Sequence, residues 1–167
     1  LPNLEAFAPI KGRGQVLSLR LGDRHISVID QAYNANPLSM TAALAALEQS
    51  DTLPAHRVVV LGDMLELGEN AADYHVALKD PVLQTCPDRL LLCGELMHDL
   101  WRTLEPEMAR AGIKGKWFAS AAELKAELDA WLQDGDTVLI KSSNSIGFEK
   151  IIAGWMEEHV HTGKHMC

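Results

Sequence analysis

The sequence predicts an α/β domain: a Rossmann-like layered fold with a mostly parallel sheet, an initial antiparallel hairpin and helices on both faces. Three observations support this. Short runs at 57–61, 89–93 and 137–140, apolar after their first residue, have the near-continuous hydrophobicity of strands buried on both faces. Segments with helical spacing of apolar residues alternate with those runs. Two further apolar runs, 16–21 and 25–30, flank Gly22-Asp23, a pair suited to a tight hairpin turn. Right-handed crossovers would then distribute the helices over both faces.

The elements follow in chain order. Residues 1–15 mix Pro, Gly and isolated apolar side chains, as a connector crossing another surface would, and a start without Met suggests an upstream portion. After the hairpin comes Asp30-Gln31-Ala32-Tyr33-Asn34-Ala35-Asn36-Pro37, a polar corner leading into a helix. Asn36 can cap the exposed amides there, Pro37 suits the first helical position, and Met40, Ala43, Leu44 and Leu47 mark one apolar face. The 57–61 strand ends at Gly62, a helix is expected from Glu69 to about Leu83, and the 89–93 strand ends at Gly94. Leu96, Leu100, Leu104 and Met108 recur every fourth residue, with Pro106 implying a break or kink near the end of that helix. A short strand is expected at 115–118. Ser120 and Glu123 have capping-box spacing before Leu124, Leu128 and Trp131. Beyond the 137–140 strand, a last helix is expected from about Ser145 to His159. No internal repeat or low-complexity segment is evident.

The chain has 167 residues, enough for one substantial core. Its hydrophobic content of 47% suits a folded protein rather than a disordered one. A net charge of −8 disfavours a general nucleic-acid or acidic-membrane surface, so no nucleic-acid partner is expected. No apolar stretch is long enough for membrane insertion, and the expectation is a soluble, cytoplasmic domain. Cys86, Cys93 and Cys167 form no C-x-x-C pair or disulfide framework, and the first two read as core or near-core thiols. His159, His161 and His165 are dense but do not make a zinc site, and no metal ligands are assigned.

Several residues could carry chemistry. Asp30 ends an apolar strand beside Tyr33: its carboxylate could accept ribose hydroxyls or organise a metal–phosphate group while Tyr33 offers an aromatic surface, or it could simply stitch the turn. Asn34 and Asn36 are open between ligand contact and capping. Arg13, between two glycines, could reach a phosphate or sit in a plain surface turn. Asp63 and Glu66 could orient an incoming ammonium or exchange its proton, or serve as solvated turn residues, and His75 could face the same cleft or be packed. Lys141, Ser142 and Ser143 follow a strand and precede a helix start, where they could hold a phosphate or carboxylate, or merely cap. No side chain is assigned as catalytic with certainty. The sequence has no G-x-x-x-x-G-K-[ST] phosphate loop.

Four segments in order, Gly12-Arg13-Gly14, Tyr33-Asn34-Ala35-Asn36-Pro37, Leu61-Gly62-Asp63-Met64-Leu65-Glu66-Leu67-Gly68 with His75, and Leu139-Ile140-Lys141-Ser142-Ser143, resemble the C-terminal domain of the Mur ligase family. The resemblance implies that 1–14 closes a preceding central ATPase domain or linker, 15–160 is the C-terminal domain and 161–167 a flexible tail. It implies a full-length ATP-dependent amide-bond ligase of peptidoglycan precursor synthesis, which joins D-alanyl-D-alanine to UDP-N-acetylmuramoyl-tripeptide through an acyl phosphate. ATP and Mg2+ would be bound mainly by the central domain, with the N-terminal and central domains as partners in cis and this fragment inactive alone. By the same resemblance Arg13, Asp30, Tyr33 and Asn34 face the nucleotide, and Asp63, Glu66, Lys141, Ser142 and Ser143 face the substrate. Gln31, Ser142 and Asn144 depart from the related pattern, which often has a second acidic residue at the first position and Lys-Gly-Ser followed by Arg around the others. Rival expectations are another Mur-type ligase with changed amine specificity, and a non-catalytic α/β ligand-binding domain.

Overall fold

A computed structural model describes residues 15–165. Strands β1 (Gln15–Leu21) and β2 (Arg24–Gln31) form the expected hairpin, with Gly22 at φ +64° in the turn, a conformation that glycine adopts without a Cβ clash. Four parallel partners follow: β3 (Arg57–Gly62), β4 (Arg89–Cys93), β5 (Lys114–Phe118) and β6 (Thr137–Lys141). The sheet order is β1-β2-β6-β3-β4-β5. The chain therefore steps outward from β3 to β5 and returns to insert β6 between β2 and β3. Every residue of β3 and β4 is buried, which accounts for their continuous apolar composition.

Helices cover both faces. On one lie α1 (Pro37–Glu48), α2 (Ala71–Val76), α3 (Lys79–Gln84) and α4 (Glu95–Ala111), whose Met40, Leu44, Val82, Leu100 and Leu104, with Leu78 at the cap of α3, meet Val59, Leu61, Leu90 and Leu92 of the sheet. On the other, α5 (Ala121–Trp131) and α6 (Phe148–His165) supply Leu124, Leu128, Phe148, Ile152 and Trp155 against Val58, Val60, Leu91 and Val138. Among the described residues no helix is long and apolar enough to cross a membrane.

Asn36 caps α1 in a reciprocal box: its Oδ1 accepts the Ser39 N–H at 2.8 Å, and Ser39 Oγ accepts the Asn36 N–H at 3.0 Å. Met40, Ala43, Leu44 and Leu47 form its buried face, as expected. Five local expectations need correction. The helix expected from Glu69 to Leu83 is a 3-10 turn at Gly68–Asn70 followed by two short helices, because Pro81 has no N–H and can only occupy the first turn of a new helix, α3. Pro106 does not end α4, which runs on to Ala111 and stops at Gly112 (φ +74°); buried Leu104 and Met108 hold the turns on either side of the proline. The last helix starts at Phe148, after a 3-10 turn at Asn144–Ile146 and Gly147 (φ +94°), and extends to His165. Cys86 is exposed rather than near the core, on a backbone with φ +49°, whereas Cys93 is buried. At α5 the capping is also less reciprocal than the spacing suggests: Ser120 Oγ accepts the Glu123 N–H at 3.3 Å, but the Glu123 carboxylate receives the Ala119 N–H.

At the amino-terminal edge of the parallel strands two arginines are buried, and one Arg57 nitrogen, Nε, has no hydrogen-bond partner. Arg89, opening β4, makes a bidentate pair with Asp136, just before β6, at 2.6 and 2.7 Å, with both side chains almost fully enclosed. Arg57, opening β3, donates to the carbonyls of Thr85, Glu48 and Ser50.

Candidate functional site

The carboxyl ends of β2, β6 and β3 lie side by side, and β6 is where the order of strands reverses. Ligands bind at such switch points because loops diverge from adjacent strand ends and leave a crevice between them. Lys141 is the central residue, paired in register with Gln31 of β2 on one side and Leu61 of β3 on the other. Three loops converge there: 32–36 after β2, 63–67 after β3 and 142–147 after β6. Asp30, Asp63, Lys141, Ser142 and Ser143 thus share one edge of the sheet and are all buried, while Tyr33, Asn34 and Glu66 are exposed beside them. Arg13 lies outside the described residues.

The β2 corner is held by its own polar groups. Asp30 Oδ1 accepts the Ala32 N–H at 3.1 Å and Asn34 Oδ1 accepts the Ala35 N–H at 2.9 Å. Asn36 is engaged as the α1 cap. Tyr33 is 45% exposed and Leu38, in the first turn of α1, is 82% exposed, so the corner presents an aromatic and an aliphatic side chain outward. Lys141 Nζ donates to the Asn34 carbonyl at 2.9 Å and so ties the β6 end to this corner. Among the described residues no carboxylate forms an ion pair with it. Burial lowers the Lys141 pKa to about 8, since the ammonium has lost water without gaining a counter-charge.

The β3 loop is organised from behind. Asp63 Oδ1 accepts the Met97 N–H at 2.8 Å and Oδ2 the Leu96 N–H at 3.3 Å, so the carboxylate sits on the amino terminus of α4. Desolvation nevertheless raises its pKa above the ordinary carboxylate value, against the lowering effect of those two amides. Gly94 makes this possible: its φ is +114°, and a Cβ there would fall on the Asp63 carboxylate. Gly62 is equally constrained, since a Cβ would meet Ser142 Cβ at 2.8 Å and the Phe148 ring at 2.9 Å. The Asp63 carbonyl accepts the Ser143 N–H at 3.1 Å, and Ser143 Oγ accepts the Leu65 N–H at 2.9 Å. Ser142 Oγ turns to the Ser143 carbonyl at 3.1 Å. Glu66, at φ +62°, turns the loop out to solvent. Below this edge the Cys93 thiol is pushed up to about 12, first by burial and then by the Asp63 charge, which makes it a core group and not a nucleophile.

The participation of α4 is the feature that reading the sequence missed. Its only signal is an isolated glycine between an apolar run and a helical repeat, and the carboxylate that needs that glycine lies at a distant position in the chain. Among the described residues no three His, Cys, Asp or Glu side chains cluster to hold a metal. With Gln31 beside Asp30, the corner has one carboxylate, so any magnesium contact from it rests on Asp30 alone.

The family model described as the Mur ligase, glutamate ligase domain matches residues 12–144. The chain is 30% identical over 159 residues to the UDP-N-acetylmuramoyl-tripeptide–D-alanyl-D-alanine ligase of Escherichia coli K12, covering 94% of this chain and 31% of that protein. It is 34% identical over 157 residues to the enzyme of the same name from Treponema pallidum, covering 89% and 30%. Among solved structures, MurF from Acinetobacter baumannii superposes with a TM-score of 0.72 at 28% identity, over 93% of this chain and 33% of that one. MurF from Thermotoga maritima in complex with ADP shares the fold, with a TM-score of 0.68 at 21% identity, over 95% and 34%. The chain thus spans about a third of the length of these curated relatives. The convergence of the β2, β3 and β6 loops at the switch point and a family match over most of the chain lead to one conclusion: this chain belongs to the Mur ligase family, as its C-terminal domain.

Proposed function

We propose that this domain is the amine-substrate and closing domain of an ATP-dependent ligase that joins D-alanyl-D-alanine to UDP-N-acetylmuramoyl-tripeptide. The observation that carries this reading is Lys141, a buried ammonium at the switch point with no acidic partner among the described residues. A buried cation without a counter-charge is expensive, and an anionic ligand arriving in the crevice would neutralise it. The terminal carboxylate of a dipeptide has the required charge, and Ser142 and Ser143 follow Lys141 directly, with the Ser143 hydroxyl proton still available to donate. Asp63 and Glu66 would frame the ammonium end of the same substrate from the β3 loop. Asp30, Tyr33 and Asn34 form the nucleotide-facing corner, with Arg13 reaching a phosphate from the connector.

ATP, when bound, makes the peptide carboxylate electrophilic. This domain's part is to hold the amine in line with that carboxylate and to exclude water as it closes. ATP and Mg2+ are assigned mainly to the central domain, and the N-terminal and central domains are the partners in cis. The relatives with the same printed activity, together with the Asp30 corner and the Lys141 turn, favour this assignment over a binding module. Gln31, Ser142 and Asn144 favour a rival with a different amine.

The test is to incubate the full-length protein with ATP, Mg2+, UDP-linked peptides and a panel of amines, and to follow product by mass spectrometry. The expected result is ATP-dependent addition of D-alanyl-D-alanine. Preference for another amine establishes the rival ligase, and no turnover with any amine supports the non-catalytic reading.

A further inference from the structure

His75 is fully buried on α2, yet both its ring nitrogens face backbone groups. Nε2 lies 2.9 Å from the Met64 nitrogen, and Nδ1 lies 2.6 Å from the Ala71 carbonyl oxygen. An amide can only donate, so Nε2 must accept the Met64 N–H. A carbonyl can only accept, so Nδ1 must carry the proton and donate to Ala71. The partners therefore select one neutral tautomer, and the ring bridges the helix to the loop that follows β3.

That loop is tied at three successive residues. Asp63 sends its carboxylate to the α4 amides and its carbonyl to the Ser143 N–H, Met64 is held by His75, and Leu65 donates to Ser143 Oγ. Ser143 is thus gripped on both sides of Met64, and Met64 is fixed by His75 alone among the side-chain acceptors in this loop. We infer that His75 is a positioning residue: it locks the β3 loop to the β6 turn, so that Lys141, Ser142 and Ser143 are held in one arrangement for an anionic amine substrate. Being fully buried, it acts through Met64 and Ser143 and not by contact. This rests on the ligase reading of the same edge. An imidazole that merely fills space would make the Met64 bond incidental, and the two roles separate experimentally.

The test uses the full-length protein with two substitutions of similar size. His75→Asn retains a donor at the Nδ1 position and removes the acceptor for Met64, whereas His75→Gln places an amide oxygen where Nε2 stood. Amide hydrogen exchange at Met64, Leu65 and Ser143 is compared with the KM for D-alanyl-D-alanine and the KM for ATP, with circular dichroism verifying the fold. In H75N, exchange at Leu65 and Ser143 and the amine KM each rise about tenfold, the effect of losing one hydrogen bond, while the ATP KM stays within about twofold. In H75Q both quantities return to within about threefold of wild type. Unchanged Ser143 exchange in folded H75N overturns the inference, as does H75Q being as impaired as H75N. Should H75N fail to fold, Ser143→Ala decides: faster exchange at Met64 supports the coupling and unchanged exchange overturns it. If wild type turns over no amine, the ligase reading fails, and the exchange comparison still decides whether His75 couples the two loops.

Discussion

Lys141 concentrates the conflict between stability and function at the scale of one residue. It is 3% exposed, and burial holds its pKa at about 8 against 10.5 for a free lysine. Between these values the unfolded chain binds a proton that the native chain has released, so stability rises as pH climbs from about 8 to 10.5, and the full penalty is present below about 8. Replacing the ammonium by an apolar chain of similar length removes that penalty. Lys141→Met is therefore expected to stabilise the protein at pH 7 by about 1–3 kcal/mol and to flatten the rise, read by urea unfolding across pH. Under the proposed ligase function the same variant should raise the KM for the anionic amine substrate. Only half of this was legible in the sequence. A lysine at the end of an apolar run, before a serine-rich helix start, announced its place at the sheet edge; its desolvation depends on Gln31 and Leu61, which reach it only through the insertion of β6 between β2 and β3.

Among the elements, those written by local pattern were readable and those settled by competition were not. The hairpin, the all-buried strands and the Asn36 cap follow from spacing and turn chemistry, which act within a few residues. The two prolines were misread in opposite directions, because the same ring divides one helix and is carried through another. Pro81 falls in a short segment with few buried side chains, where nothing outweighs the lost hydrogen bond, and two short helices result. Pro106 falls in a helix with four buried anchors, Met97, Leu100, Leu104 and Met108, whose packing outweighs the defect. Because Pro106 itself is exposed, a residue with an N–H should restore the bond to the preceding turn without disturbing the core. Pro106→Ala is expected to raise stability by about 1–3 kcal/mol, measured by urea titration; a decrease would mean that the proline's rigidity is what holds the end of α4.

Across the whole molecule the two edges of the sheet do different work. The carboxyl edge buries Lys141 with no acidic partner among the described residues, whereas the amino edge pairs Arg89 with Asp136; Arg57 beside that pair gives its terminal nitrogens to three carbonyls and leaves its Nε buried without a partner. An uncompensated charge suits a surface that must attract a ligand, and a closed pair suits one that must only hold strands together. This division was illegible beforehand, since Arg89 and Asp136 are far apart in the chain and neither belongs to a recognisable pattern. It leads to a separable prediction for the full-length protein. Asp136→Asn leaves the Arg89 guanidinium buried with half its pairing and should cost about 3–5 kcal/mol, seen as a lower urea midpoint. Because β4 and β6 are parallel and the pair lies at their amino ends, the loops around Lys141 should be unaffected, and at a temperature where the variant is folded the proposed ligase activity should keep its KM for D-alanyl-D-alanine and for ATP within about twofold of wild type. If the substrate KM rose in step with the loss of stability, the edges would be mechanically coupled through the strands, and the carboxyl edge could not be treated as a site resting on an independently bolted base.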